Sequence, residues 1–436
     1  MSLVLILFLT CALCYFIRAK WQIYAVGRRI PGPWALPLVG NVQMLDKLKP
    51  ECKHWETHRR ALSPAFHPHI LSGFTPAIAR YGDELVRKLR ATAGMPIEVR
   101  ECLFACTLDA IIETSMGKQL NSLTDPHNRY THAFHKTSEL LFKRMINPLL
   151  GLDFIFRRTK MCRELYASLA VINELMISVI DARVEALQLQ AEFGLDLSPA
   201  TSENGIRKQR RTLLDTLLTA EIDGQKLTRA EICDEVNTFV FAGVDTTTAA
   251  MCFVLYSLGK YPAEQQKLIA EIEEYSLRYA DLTVDALNRL EYLDLFIKEV
   301  LRYYTVVPLT GRQTTTDTVI GGRRYCADIT LWINLYGLAH DEKYFESPEL
   351  FRPMRFVNTQ NERLPAYVYI PFSGGPHICI GRKYALLIMK ILTVQILRNF
   401  EVQLSNPNEV LVLQAQMVLK SLQGFNLIFT PRTMEG

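Results

Sequence analysis

Apolar residues recur at three-and-four spacing along five long stretches: Phe74 to Ala91, Cys162 to Gln190, Arg229 to Lys260, Ala263 to Tyr279 and Val284 to Tyr304. That spacing gathers them on one face of a helix, and such a face must be buried against other elements. Gly381 to Asn399 carries the same pattern. Strand-like pieces are few and short: Thr316 to Ile320, Ile329 to Asn334, and Glu409 to Leu413 onward. The polar, basic stretch from Phe193 to Arg211 reads as a surface loop. The expected fold is therefore mainly α with a small β portion. At 436 residues the chain exceeds what one typical core needs, so it forms one large domain or two. No internal repeat breaks the pattern.

The net charge of +4 is too small to point to a nucleic-acid partner. The ten cysteines are scattered, with no paired C-x-x-C that would mark a metal site. Irregular spacing in a chain this long argues against a disulfide framework, so most of these thiols are expected to be reduced and buried.

Ser2 to Ile17 is uncharged and almost wholly apolar, and Arg18, Lys20, Arg28 and Arg29 follow it. Trp21 and Tyr24 extend the run with interfacial aromatics. Nothing basic precedes it and no small-x-small site ends it, so a retained anchor fits better than a cleaved signal. The basic residues after it place the rest of the chain in the cytosol. Pro31, Pro33 and Pro37 then make a stiff spacer. The expected organisation is a membrane anchor helix over 1–20, a proline-rich hinge over 21–45 and the main domain over 46–436.

Pro371 to Gly381 contains Phe-x-x-Gly-x-x-x-Cys-x-Gly, with Phe372, Gly375, Cys379 and Gly381 at the fixed positions. Simple frequency multiplication puts its chance occurrence at about 0.001 per chain of this composition. A cysteine thiolate at such a place can ligate haem iron and push electron density toward oxygen. Gly374, Gly375 and Gly381 let the backbone come close to the sulfur and a macrocycle. The helical pattern that follows puts Cys379 at a helix N-terminus, where dipole and free N–H groups favour the thiolate. Phe372 is expected to pack near the sulfur and exclude water.

The segment resembles the haem-binding loop of the cytochromes P450, and most of all the family-4 branch, insect members included. The resemblance implies a P450-like helical domain with Cys379 as the axial ligand of a haem b. His377 stands where the family usually has an arginine that pairs with a haem propionate. Phe239 to Ala250 includes Ala-Gly-x-Asp-Thr-Thr, which resembles the family's central helix. A glycine and three threonines are unfavourable inside an apolar helix, and that local conflict itself points to function. The resemblance implies that Asp245 and Thr246 deliver protons during oxygen activation and that Gly243 leaves room for oxygen. Family-4 members often carry a glutamate at the position of Ala242 that esterifies the haem, so no such covalent link is expected here.

An acid-x-x-base spacing such as Glu299 to Arg302 occurs by chance about five times in such a chain and means little alone. The resemblance implies a buried structural triad of Glu299, Arg302 and Arg355, with Met354 where the family usually has an acid. Trp55 and Arg59 match the family's Trp-x-x-x-Arg helix and are expected to reach one propionate, with Arg312 reaching the other.

Pro33 and Trp55 are only 22 positions apart, whereas the family has several tens of residues there. The main domain is thus expected to lack an N-terminal segment carrying the first helices, much of the larger sheet and the roof of the substrate pocket. Exposed sheet edges and a widened pocket would follow, with impaired folding or haem retention.

No Gly-x-Gly-x-x-Gly for flavin or nicotinamide is present, so electrons are expected from NADPH through a separate NADPH-cytochrome P450 reductase, with cytochrome b5 as a further donor. The expected activity is monooxygenation of a small lipophilic substrate (a fatty acid, hormone-like lipid or xenobiotic) at the endoplasmic reticulum membrane, facing the cytosol. A shortened, non-catalytic haem- or ligand-binding relic is the alternative. A haem-thiolate isomerase is a third reading, against which Asp245 and Thr246 speak.

Overall fold

The helices form where apolar spacing is sustained and where a side chain can close the first turn. In the computed structural model the described residues are 52–125, 128–192, 212–222, 224–275, 282–357 and 364–432. The expected anchor, the hinge and the polar loop from Phe193 to Arg211 lie outside them. The principal helices are α1 (Cys52–Leu62), α2 (Thr75–Arg90), α3 (Arg100–Met116), α4 (Arg129–Ile146), α5 (Lys160–Glu192), α6 (Leu213–Thr219), α7 (Arg229–Lys260), α8 (Pro262–Glu274), α9 (Val284–Asn288), α10 (Glu291–Tyr303) and α11 (Arg382–Asn399).

Their ends follow local chemistry. Thr228 and Glu231 form a reciprocal capping box at the start of α7, and Thr212 with Asp215 does the same for α6. Pro262 opens α8, where its missing N–H costs nothing. Gly117, at a φ of +79°, ends α3.

The chain divides into two compact units. Among the described residues the smaller contains Lys143–Cys162 and Leu309–Asn334. In it β4 (Leu309–Gln313) pairs antiparallel with β7 (Thr330–Asn334), and β5 (Thr318–Ile320) with β6 (Arg323–Tyr325). Arg144 bonds Asp153 at 2.7 Å, and its guanidinium lies 4.0 Å from the ring centre of Phe156.

The larger unit, Glu51–Phe142, Arg163–Pro308 and Leu335–Gly436, holds the main core. Helix α7 runs through it, packed against α3, α10, α11 and β8 (Phe400–Leu404). Every residue from Thr247 to Leu258 of α7 is buried. Gly259 permits the approach to β8, because a Cβ there would stand 3.0 Å from the Leu404 backbone nitrogen. Three strands form an antiparallel sheet in the order β1 (Ile97–Glu98), β11 (Asn426–Pro431), β8. Its register places Leu427 opposite both Ile97 and Leu404. Two further hairpins join β2 (Glu221–Ile222) to β3 (Gln225–Lys226) and β9 (Leu413–Ala415) to β10 (Leu419–Ser421).

Three expectations change in detail. The helix expected from Ala263 to Tyr279 ends at Glu274. The one expected from Val284 to Tyr304 breaks at Leu290, whose φ of −76° and ψ of 82° are not helical. The strand expected from Glu409 begins only at Leu413. Helices α5 and α7 are long and apolar enough to cross a membrane, but two thirds of the α7 window is buried, as befits a core helix.

Candidate active site

The loop between Tyr369 and Gly381 is shaped by its own backbone. Cys379 N–H donates to the Phe372 carbonyl at 2.9 Å, and Ile378 N–H to the Gly375 carbonyl at 3.1 Å. Closing so tight a loop requires left-handed backbone at Ser373, with φ of 63°, and at Gly375, with φ of 68°. A Cβ at Gly381 would stand 4.0 Å from Cys379 Sγ, so that glycine does lie against the sulfur. Gly374 instead makes room for the Tyr367 ring, 2.9 Å from where a Cβ would be.

Helix α11 begins at Arg382 with Gly381 as its N-cap, so Cys379 precedes the helix rather than opening it. The backbone N–H groups of Gly381 and Arg382 nevertheless favour its thiolate form, and Arg382 N–H donates to the Cys379 carbonyl at 3.5 Å. Cys379 is reachable by solvent, yet it sits in a recess of protein atoms. Burial pushes its thiol pKa up, and the two N–H groups and the charges of Arg59 and Arg382 pull it back toward the thiolate. The remaining described cysteines form no disulfide.

Helix α1 leans on this loop. Arg59 Nη2 donates to the Ile378 carbonyl at 2.8 Å. Burial lowers the Arg59 guanidinium pKa and Cys379 opposes it. One helical turn earlier, the Trp55 indole stacks on the His377 imidazole, with ring centres 3.8 Å apart. The structure thus brings Trp55, Arg59, His377 and Cys379 together. Arg312 is in the smaller unit, where its Nη1 donates to the Gly311 carbonyl at 2.8 Å and to Thr310 Oγ1 at 3.1 Å.

Glu299, Arg302 and Arg355 form a connected cluster. Both Glu299 oxygens accept from Arg302 at 2.8 Å, and Oε1 also accepts from Arg355 Nε at 3.0 Å and from the Arg352 backbone N–H at 2.7 Å. Glu299 and Arg302 are 0% and 1% exposed, so no water screens the pair. Burial lowers the Arg355 guanidinium pKa, with Glu299 opposing. Backbone carbonyls of Ala339, Glu346 and Leu350 take up the remaining guanidinium N–H groups.

On α7 the Thr246 hydroxyl donates back to the Ala242 carbonyl at 2.7 Å, a bond that competes with regular helix geometry. Asp245 is buried and points to other partners: Arg100 Nη2 at 3.0 Å, Ser138 Oγ at 3.4 Å and Lys420 Nζ at 3.9 Å. A Cβ on Gly243 would lie 3.0 Å from Ile111 Cδ1, so the space left by its missing side chain faces α3. Sequence reasoning missed Arg100 and Lys420. Both are far from Asp245 along the chain, and no motif marks either.

Among the described residues no group of three or more His, Cys, Asp or Glu would hold a metal ion. A single recessed cysteine would suit an iron that brings its remaining ligands with a macrocycle, and its thiolate would supply electron density to that iron. The residues present therefore fit a haem.

The family model for cytochrome P450 matches residues 32–429. Cytochrome P450 4d2 of Drosophila melanogaster is 34% identical over 387 residues, covering 87% of this chain and 76% of the relative. Cytochrome P450 4V2 of Mus musculus is 34% identical over 376 residues, covering 85% and 70%. The same coverage of this chain, at 34% identity, holds for cytochrome P450 4d10 of Drosophila mettleri. The family-model match over residues 32–429 and the identity to these relatives mean that the chain belongs to the cytochrome P450 family and is a P450 monooxygenase similar to family-4 members.

Proposed function

We propose that this monooxygenase oxidises a small lipophilic substrate, a fatty acid or related lipid hydroxylated near a chain end, with NADPH electrons supplied by a separate membrane reductase. The observation that carries the reading is Cys379: accessible to solvent, set in a recess, its N–H held by the Phe372 carbonyl and Gly381 lying against its sulfur. Haem held by a thiolate supplies the oxygen-cleaving chemistry.

This chain's residues do the rest. Arg59 fixes the backbone beside Cys379, and with Trp55 and His377 it is the candidate partner for a propionate. Phe372, whose carbonyl holds the Cys379 N–H, and the glycines Gly375 and Gly381 shape the loop around the sulfur. Asp245 and Thr246 move protons, and Gly243 leaves room for oxygen by lacking a side chain. Glu299, Arg302 and Arg355 hold the frame. The apolar run to Ile17 with the basic residues after it supports anchoring at the endoplasmic reticulum with the catalytic domain in the cytosol, and a fatty-acid substrate is supported by the likeness to family-4 members. Cytochrome b5 is a second candidate donor. The short distance between Pro33 and Trp55 supports weak haem retention.

The test is the carbon monoxide spectrum of the reduced protein beside that of Cys379→Ser, followed by product analysis with reductase, NADPH and medium-chain fatty acids. A thiolate-type Soret band lost in the variant, with hydroxylated product from the parent, is the expected result. The same spectrum in both proteins removes Cys379 as the ligand.

A further inference from the structure

Beside the thiolate loop lies a cavity of about 460 Å³. That volume falls within the roughly 300–1,000 Å³ of ordinary ligand pockets. Its walls come from the larger unit: the loop from Tyr369 to Ser373, Pro68 and Leu71, and helices α9, α10 and α11. Among the described residues that line it none belongs to α7, and Cys379 is not one of them, so it lies apart from the residues assigned to oxygen chemistry. One face of α11, from Arg382 to Lys390, runs along it for about 12 Å at 1.5 Å per residue. Leu386 and Leu387 of that face, with Leu287 of α9 and Ile297 and Leu301 of α10, make the wall apolar.

The two ends of this run differ. Lys390 is 6% exposed and its ammonium is fully engaged, by Asp294 Oδ1 at 2.7 Å, the Leu287 carbonyl at 3.1 Å and Asn288 Oδ1 at 3.3 Å. Arg382 and Lys383 at the other end are exposed, and so is Lys298 of α10. The Tyr369 hydroxyl donates to the Lys298 carbonyl at 3.0 Å and ties the loop to α10. Charge is one-sided: among the described lining residues four are cations and one is an acid, Asp294, which Lys390 already holds. Arg382 and Lys383 also occupy the first turn of α11, the positive end of its dipole, where a cation is unfavourable. A local conflict of this kind points to a use, and an anion at that end relieves it.

We propose that the cavity is a second ligand site, for a long-chain carboxylate whose head lies against Lys298 and Lys383 and whose chain runs along α11 toward Lys390. Because the donors of Lys390 are spent, the buried end takes the chain and the exposed end takes the head. The apolar depth favours one alkyl chain over a protein partner, whose surface would meet the cations and leave the depth unfilled.

The test uses the full haem-loaded chain with its iron occupied by an excess of an azole, which keeps laurate out of the haem pocket. Equilibrium dialysis then counts the laurate that still binds. One laurate per chain is expected, with affinity falling as salt rises. Lys298→Glu combined with Lys383→Glu turns two attractions into repulsions, so it should weaken laurate about tenfold or more and admit dodecyltrimethylammonium instead. Leu386→Trp fills the apolar run and should lose both probes; if it fails to fold, the charge reversals decide alone. The proposal is overturned if the azole-blocked parent binds no laurate, or if the variants bind it as the parent does. Reductase binding weakened by the charge reversals, with no laurate on the blocked parent, gives the cavity to a protein partner and overturns it equally. The count does not depend on what the haem oxidises.

Discussion

Arg59 Nη2 donates a 2.8 Å hydrogen bond to the carbonyl of Ile378, the residue immediately before Cys379. One side chain thereby ties α1 to the thiolate loop, and its charge acts on the sulfur as well as on the backbone. The loop's own bonds, Cys379 N–H to Phe372 and Ile378 N–H to Gly375, set its shape, and Arg59 pins that shape to a helix.

Removing this guanidinium is therefore expected to loosen the loop and raise the thiol pKa together. A hydrogen bond to a charged group contributes ~1.5–3 kcal/mol, so Arg59→Leu should weaken haem retention by about tenfold or more. Haem transfer to apomyoglobin measures that retention. The reduced, carbon monoxide-bound variant should also show a larger fraction without the thiolate-type band. An unchanged transfer rate would mean that the bond to Ile378 does not hold the loop.

The Glu299 cluster predicts a stability effect rather than a chemical one. Glu299→Ala leaves Arg302 buried without its partner and Arg355 short of one, and unpairing a buried ion pair costs ~3–5 kcal/mol. Arg302→Lys keeps the charge but loses the two-pronged contact with both Glu299 oxygens, so it should lie between parent and Glu299→Ala. Urea unfolding of the three proteins checks the order. Equal midpoints would show that the cluster adds nothing to stability.

A half-buried helix needs a stripe, and the stripes of α2, α5 and α8 made those helices visible in the sequence, whereas α4 was not read from it. Helix α3 was not visible because it has almost none: from Cys102 to Ile112 every residue is buried, so no polar face alternates with the apolar one. The break between α9 and α10 was hidden for another reason. Neither proline nor glycine marks it; Glu271 of α8 caps the new start by accepting from the N–H groups of Tyr292 and Leu293. The thiolate loop was legible because its spacing is dictated by backbone closure. The partners of Asp245 were not, since Arg100 is 145 residues away and only the folded chain brings it near.

That capping carboxylate gives a pH prediction. Burial pushes Glu271 up from 4.5 to about 7, Leu293 N–H opposes, and the acids Asp294, Glu291 and Glu274 add to the rise. An acid raised in the folded state holds a proton there that the unfolded chain has already released, so stability falls as pH rises through that window. The loss should run from about pH 4.5 to about pH 7 and then level off. Glu271→Gln removes the titration while its amide oxygen still accepts one N–H. Unfolding free energies across this range should show the parent losing ground to the variant as pH rises. A constant difference between the two would contradict the assignment.

Gly243 separates packing from chemistry. A Cβ there would stand 3.0 Å from Ile111 Cδ1, the flexible end of a side chain that is 2% exposed. Crowding of this kind costs about 1–3 kcal/mol, less where the neighbour can move. Shortening that neighbour should relieve it, so Gly243→Ala is expected to lower the unfolding midpoint and Gly243→Ala with Ile111→Val to restore most of the loss. Helix α3 is already held against α7 by the 2.7 Å contact between Thr107 and Thr248, so the pair of changes need not shift the helices apart. Product per NADPH then decides what the missing side chain is for. If coupling recovers along with stability, the glycine serves the fit of α3 on α7; if stability recovers and coupling stays low, the space is used in oxygen activation itself.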